Sequence, residues 1–298
     1  MKVLRLRKAL YGLKQAGRAW YHKLKSVMKE FGLTQVLCEP HLFVTRKVVN
    51  KRMLMLILPI YVDNLFPISD KLLTDQFEEW IGKSFNITIL GNASYFLSIC
   101  VNRDRTANPP TLTLDQETYV TTMLTKYRVN QNKESKYPVS TLGATYVERP
   151  EDEPAATRDD IRRYRSYIGS LMYLMLGTRP DIAYAVGRFA RFAHDPSKDH
   201  FKAVGRIFAY VNTTKGFVLR YNKTMKVDSS IYPFGTCDAD FAGELAQGQR
   251  RKSMSGNVFI MANGPISWLS KLQPVIATSM MEAEYIALYT ATKQAVWI

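Results

Sequence analysis

Tyr61-Val62-Asp63-Asn64 is the stretch that decides the fold class of this chain. It follows a run of large apolar residues, Met53 to Ile60, and precedes Leu65 and Phe66. This pattern predicts two short buried strands joined by a tight acidic turn. Two adjacent carboxylates on such a turn would hold paired Mg²⁺ ions for phosphoryl transfer. Asn64 is a neutral amide, so the turn predicts a metal site with one carboxylate replaced, or simply an Asp-Asn loop after a core strand.

Composition and charge indicate a folded, basic protein. Hydrophobic residues make up 46% and aromatic residues 12% of the 298 residues, enough to build real cores. The net charge is +15, and residues 1–60 hold thirteen Lys or Arg against two acids. Such a concentration is typical of nucleic-acid binding, although a solvated basic surface gives the same count. The longest apolar run, Met53 to Val62, is too short to cross a bilayer, so we expect no membrane partner and a cytoplasmic or nuclear location.

Apolar periodicity predicts alternating helices and strands in the first 130 residues. The first helix should begin near Gly17 and end at Gly32, a typical C-terminal cap. The other predicted elements of this part are strands at about 41–48, 53–61, 65–68, 85–90, 94–102 and 111–114, and helices at about 70–82 and 116–128.

Residues 130–160 break this pattern with three prolines and an acidic cluster, and they are the best linker candidate. The later elements are predicted helices at 161–176, from Pro180 onwards and at 197–212, strands at about 232–238, 254–262 and 265–270, and a last helix from Ser279 to Ile298. Neither a strand nor a cap follows that helix, so we expect the chain to stop inside a domain.

Two pairs of acids near the end of the chain have spacings that suit a nuclease. Asp238 and Asp240 lie two apart at the end of a predicted strand, so both point to one face. Glu282 and Glu284 near the start of the last helix diverge by about 200°, so only one can join that strand in a site. A strand Asp with a helix Glu is how a two-metal nuclease supplies its first carboxylates. Spacing does not choose within either pair, and surface acids would give the same pattern.

Lys14 and Arg18 lie four apart in a basic segment that glycines interrupt, Tyr11 to Trp20. The glycines give room for close approach of a nucleotide, and the cations suit phosphate. An ordinary basic helix start is the alternative.

Together these strings resemble the pol polyprotein of Copia-type LTR retrotransposons, over nearly the whole chain. KALYGLKQAGRAWY (8–21) is similar to the family's template-and-nucleotide grip motif, and YVDN (61–64) to its metal-binding YVDD turn. Four further regions match in the family's order: LGNASYFLSI (90–99) in the palm, YRSYIGSLMYLMLGTRPDIAYAV (164–186) in the connection, and in RNase H both CDADFAG (237–243) with RKSMSG (251–256) and ISWLSKLQP (266–274) with MEAEYIAL (281–288).

The resemblance implies Mg²⁺-dependent DNA synthesis on an RNA template, followed by RNA cleavage in the hybrid. The implied partners are an RNA/DNA template-primer or an RNA–DNA hybrid, together with other element-encoded polyprotein parts, and the implied location includes element particles. By position, Asp63 would be a polymerase metal ligand, Asp238 the first RNase H ligand and Glu282 the second. The match chooses these over Asp240 and Glu284. The nucleotide and template grip would use Gly12, Lys14, Gln15 and Arg18.

The implied fold class is α+β: a partial reverse transcriptase palm with a helical thumb and connection, followed by a truncated RNase H-like α/β domain. We expect residues 1–130 to form the partial reverse transcriptase without fingers, 131–230 the linker and helical thumb or connection, and 231–298 the N-terminal half of the RNase H-like domain. Such an open half-domain would leave sheet edges unpaired, so poor solubility is expected.

Departures from the family pattern predict a catalytically inactive fragment, incomplete at both ends. Asn64 replaces the second turn carboxylate, and Gly17 stands where the family usually has Pro. The family's earlier polymerase Asp and its third RNase H carboxylate are expected to lie outside the chain. One or two carboxylates neither neutralise nor fix a pair of Mg²⁺ ions, so both sites are expected to be degenerate.

Two other interpretations stay open. The chain could be a non-catalytic nucleic-acid-binding protein that uses the basic segment 1–60, and binding that weakens steeply with salt, without a Mg²⁺-dependent product, would favour this. It could instead be a piece of an intact polyprotein that is active only with its flanks, although Asn64 argues against that.

Overall fold

The computed structural model describes residues 9–10, 12–129, 134–138, 149–150, 152–222, 232–243 and 251–298. It contains both helices and antiparallel sheets, which confirms the predicted mixture of α and β structure. Contacts divide the chain into two compact units, residues 1–93 and 94–298. The domain boundaries given above stay predictions, because compactness does not test which segments share a function.

Unit 1 is a four-stranded antiparallel sheet with two helices, and its strands lie in the order β1-β2-β3-β4. The hairpin of β2 and β3 turns through Asn50 and Lys51, both with positive φ, as a two-residue primed turn requires. The elements are α1 (Ala16–Phe31), β1 (Thr34–Gln35), β2 (Leu42–Val49), β3 (Arg52–Tyr61), β4 (Asn64–Leu65) and α2 (Lys71–Gly82).

The ends of both helices of unit 1 are fixed by local chemistry. Gly32 ends α1 in the left-handed conformation with φ of 92°, and its N–H bonds back to the last turn, as predicted. Asp70 caps α2 by accepting from the Leu72 N–H at 3.0 Å. The helices and one sheet face share a core that includes Leu24, Met28, Phe31, Phe43, Leu56, Leu58, Leu73, Phe77 and Ile81.

Unit 2 combines a helical block with two antiparallel sheets, in the orders β5-β6-β7-β8 and β11-β10-β9. Its helices are α3 (Glu117–Lys126), α4 (Arg158–Gly177), a 3-10 turn (Pro180–Ile182), α5 (Ala183–Ala190), α6 (Lys198–Thr213) and α7 (Met280–Trp297). Its strands are β5 (Tyr95–Phe96), β6 (Ile99–Asp104), β7 (Thr111–Asp115), β8 (Leu219–Asn222), β9 (Phe234–Ala239), β10 (Met254–Met261) and β11 (Gly264–Leu272).

Side-chain caps and buried apolar stripes hold the helical block together. Thr157 and Ser197 each form a capping box at the start of α4 and α6. Burial of the phenol raises the pKa of Tyr164, whose hydroxyl donates to the Phe189 carbonyl at 3.0 Å. The shared core includes Ile168, Leu171, Leu174, Val186, Val204, Ile207, Phe208 and Val211.

The β9–β10–β11 sheet packs against α7 through small side chains. Ala283, Ala287 and Ala291 recur every four residues and are buried, which lets the helix lie close to the strands. On β11, Trp268 donates from Nε1 to the Met175 carbonyl at 2.9 Å and so links this sheet to α4.

Three strand predictions were wrong. The strand expected at 94–102 is a hairpin of two antiparallel strands, Tyr95–Phe96 and Ile99–Asp104, which turns through Leu97 and Ser98, both with positive φ. Residues 85–90 form no strand, because their alternating apolar pattern finds no partner strand in the described part of unit 1. The strand expected at 65–68 is only Asn64–Leu65, followed by one bridge between Ile57 and Ile68. β8 was missed because its partner, β7, lies over a hundred residues earlier.

No helix in the described ranges is long and apolar enough to span a membrane.

Candidate active site

The acidic turn lies at the tip of the hairpin of β3 and β4. Tyr61 pairs with Asn64 across the two strands, so Val62 and Asp63 are the two turn residues. All four are exposed. A hairpin turn forms where it was predicted, but Asn64 lies at the first position of β4 and not in the turn.

The residue before Asp63 has an unfavourable backbone conformation. Val62 has φ of 57°, in the left-handed region that β-branched residues rarely occupy. Its carbonyl accepts a hydrogen bond from Trp20 Nε1 in α1 at 2.7 Å. The Trp20 ring in turn packs edge-on against Phe85, with 5.1 Å between ring centroids.

The residues of the turn supply one carboxylate and one amide. Across the described ranges, no group of three or more His, Cys, Asp or Glu side chains converges on a possible metal position. The amide oxygen of Asn64 is neutral and a weaker ligand for a hard cation than a carboxylate. These donors do not fit a pair of Mg²⁺ ions, which need several anionic oxygens between them.

The residues expected in the grip lie at and before the start of α1, and all are exposed. Gly12 has φ of 91° with open space around it, which suits close approach of a ligand. Gln15 stands at the N-cap of α1, and Arg18 donates to His22 Nε2 at 3.4 Å, one turn later. Through Trp20, this basic segment is joined to the acidic turn. The roles predicted for Gly12, Lys14, Gln15 and Arg18 stay predictions.

The second pair of predicted ligands is not brought together. Asp238 on β9 is exposed and pairs with Gly256, which places it on the sheet face opposite to Ser255. Ser255 faces α7, because Gln273 donates to both its hydroxyl and the Ala283 carbonyl at 2.9 Å. Asp240 accepts from the Met254 N–H and so ties the end of β9 to β10.

Glu282 has a different local partner. Its carboxylate accepts from the Thr278 N–H at 2.6 Å and from the Thr278 hydroxyl at 2.7 Å, and these bonds lower its pKa. Glu284 reaches β9 instead, accepting from the Ala239 N–H at 3.4 Å. Glu284 thus approaches β9, the strand that contains Asp238, whereas Glu282 caps its own helix.

Comparison with known proteins decides the family. The family described as reverse transcriptase (RNA-dependent DNA polymerase) matches residues 1–141. The Pol polyprotein of transposon TNT 1-94 from Nicotiana tabacum is 36% identical over 99% of this chain and 22% of that protein. The Pol polyprotein of transposon RE2 from Arabidopsis thaliana is 31% identical over 99% of this chain and 19% of that protein. The chain belongs to the Copia-type retrotransposon pol family.

This Copia-type pol chain spans about a fifth of the length of those polyproteins. A secreted RxLR effector protein of Plasmopara viticola is 41% identical over 45% of this chain and 90% of that protein. No solved structure matches the chain. A segment similar to part of this chain therefore also makes up most of that effector protein.

Sequence reasoning missed one residue of this Copia-type site. Trp20 was part of the grip motif and of the apolar pattern of α1. The structure leaves 36% of it exposed, and its Nε1 donates a hydrogen bond to the acidic turn. The one available signal was a large aromatic residue with a hydrogen-bond donor just outside the buried stripe.

Proposed function

We propose that this chain is the reverse transcriptase region of a Copia-type pol polyprotein, which binds a nucleic-acid template-primer but is catalytically impaired by Asn64. The observation that carries the proposal is the β3–β4 turn, with Asp63 at its apex and an amide at the next position. An amide does not neutralise a divalent cation, so the second Mg²⁺ ligand of the turn is lost.

The finer assignment follows the motifs. The sheet of unit 1 with α1 and α2 corresponds to part of a palm, and α3 to α6 correspond to the thumb and connection. The β9–β10–β11 sheet with α7 corresponds to an RNase H-like domain. By position in the motifs its carboxylates are Asp238 and Glu282, and Asp238 lies on the sheet face that points away from α7. Membership of this family argues against the alternative interpretation, in which the chain is a non-catalytic nucleic-acid-binding protein that uses residues 1–60.

The test is the single substitution Asn64→Asp in the full chain. Adding a carboxylate beside Asp63 should raise the affinity for Mn²⁺, used as a spectroscopic substitute for Mg²⁺, by about tenfold or more, because site charge sets affinity for hard cations. Binding is measured by electron paramagnetic resonance, and primer extension on an RNA template is measured in parallel.

Asn50→Asp is the matched control, since it adds the same charge to the turn at the opposite end of β3. It should leave Mn²⁺ affinity unchanged. Equal gains in both variants would show a general charge effect, and no gain from Asn64→Asp would reject Asn64 as the lesion.

A further inference from the structure

The Asp63 turn is held in a conformation that its own residues do not favour. Val62 has φ of 57° although valine is β-branched, and 59% of it is exposed, so packing of its side chain does not impose this backbone. Strain of this kind persists only where surrounding structure fixes it. The two-residue hairpin itself calls for a positive φ at Val62, so an outside contact is needed to fix the direction of the peptide that follows Val62.

The indole N–H of Trp20 makes a contact with that peptide. It donates to the Val62 carbonyl at 2.7 Å, a short distance for a neutral N–H···O bond, across 42 positions of sequence. Trp20 is itself fixed, because its ring packs against Phe85 and α1 is anchored in the core by Leu24 and Met28.

Satisfying a buried polar atom is not the purpose of this bond. Trp20 and Val62 are both exposed, so water would serve the indole N–H and the carbonyl equally well. Water would not, however, hold the Val62 carbonyl in one fixed direction. The Val62 carbonyl belongs to the planar peptide that leads into Asp63, so fixing this oxygen fixes the peptide plane before the Asp63 Cα.

We propose that Trp20 is a positioning residue that orients the Val62–Asp63 peptide and thereby the Asp63 carboxylate. This inference rests on the proposed function for the role of Asp63, but not for the mechanics of the turn. It also means that the motif at 8–21 and the acidic turn are connected by one hydrogen bond, from Trp20 in the helix to Val62 in the turn.

The first test is Trp20→Phe in the full chain, which removes the N–H and keeps an aromatic ring against Phe85. Amide hydrogen exchange of the peptide covering residues 61–66, followed by mass spectrometry, should become about threefold faster or more, because the turn opens more often. Exchange in the strand core of β3 should not change. Trp80→Phe is the matched control, since Trp80 lies in α2 and contacts Phe31 through its ring.

A second variant separates the hydrogen bond from general loosening. Val62→Gly removes the conformational strain, because glycine adopts positive φ freely. In that background, Trp20→Phe should accelerate exchange at the turn by less than half as much, which is the coupling a double-mutant cycle detects. Equal effects in both backgrounds would overturn the proposal, as would unchanged exchange in Trp20→Phe alone.

Mn²⁺ affinity in the Asn64→Asp background gives the functional readout. Adding Trp20→Phe there should weaken Mn²⁺ binding by about threefold, while adding Trp80→Phe should not. If Asn64→Asp gains no affinity but Trp20→Phe still accelerates exchange at residues 61–66, the proposed function fails and the positioning role of Trp20 stands.

Discussion

Arg179 keeps only 3% of its side chain exposed, and a buried guanidinium is costly unless it is paired and fully hydrogen-bonded. Asp181 accepts from its Nε and Nη2 at 2.9 and 2.8 Å, and Thr214 accepts through its carbonyl and its hydroxyl. The rings of Tyr210 and Phe217 flank the cation. The pairing therefore joins the 3-10 turn to the end of α6.

Asp181→Asn should destabilise unit 2 by about 2 kcal/mol, because it leaves a buried cation without its counter-charge. Chemical denaturation of the full chain at neutral pH measures the change. Glu79→Gln is the control, since it breaks an ion pair with Lys83 whose side chains are 69% and 78% exposed. That loss should stay within about 0.5 kcal/mol, and equal losses in the two variants would contradict the assignment of Arg179 as a buried charge.

At the same scale, sequence alone located Asp63 but not what holds it. The turn is local, since an apolar strand followed by Asp-Asn and another strand specifies a hairpin. The Trp20 bond to Val62 spans 42 positions, and the approach of Glu284 to β9 spans 45. Such contacts depend on packing between elements, which apolar periodicity does not encode.

At the scale of elements, the first turn of α7 carries its own capping system. Ser279 accepts from the Glu282 N–H at 3.1 Å, while Glu282 reaches back to Thr278. The bonds from Thr278 lower the pKa of Glu282 from its ordinary value of 4.5. A carboxyl whose pKa is lower in the folded than in the unfolded protein stabilises the fold at pH values above its unfolded pKa. That stabilisation is lost as the pH falls through the folded pKa.

Glu282→Gln should therefore reduce the free energy of unfolding at pH 5 to 7, and the deficit should shrink below about pH 4. Denaturation at pH 3, 5 and 7 measures this, with amide exchange to assign the loss to α7. Glu284→Gln removes the same charge two residues later, outside the cap, and should leave that first turn unchanged. A loss from Glu282→Gln that is independent of pH would contradict the capping role.

Elements were predictable where one signal sufficed. α4 and α7 begin at Thr157 and Ser279, residues that cap helices by local hydrogen bonds, and their predicted extents are close to the observed ones. Strands depend on a partner. Residues 85–90 have the right alternation and pair with nothing in the described ranges, whereas β8 has only four residues and forms because β7 is there to receive it.

At the scale of the whole molecule, the uneven charge is the property that a partner meets first. The net charge is +15, and the first 60 residues hold thirteen Lys or Arg against two acids. Several cations elsewhere are already paired with carboxylates, among them Lys83 and Lys202. The basic segment at the start of the chain should therefore neutralise most of the phosphates that a polyanion presents, and the displaced counterions enter the solution.

This reasoning predicts how the salt dependence of binding changes on mutation. For the full chain on an RNA–DNA hybrid, the logarithm of the association constant should fall linearly with the logarithm of salt concentration. Replacing Lys14 and Arg18 by Ala should reduce the magnitude of the slope by about two. Each phosphate that is no longer contacted keeps its counterion when the protein binds. Fluorescence anisotropy over a range of salt concentrations measures both slopes.

Replacing Lys83 and Lys202 by Ala removes the same formal charge from cations that already have carboxylate partners. If phosphate contacts determine the slope, this double variant should bind with the slope of the original chain, since Lys83 and Lys202 neutralise no phosphates and so displace no counterions from the nucleic acid. If net charge alone determines it, both double variants should lose equally, and Lys14 and Arg18 would then contribute to the general field of the protein rather than to a defined grip.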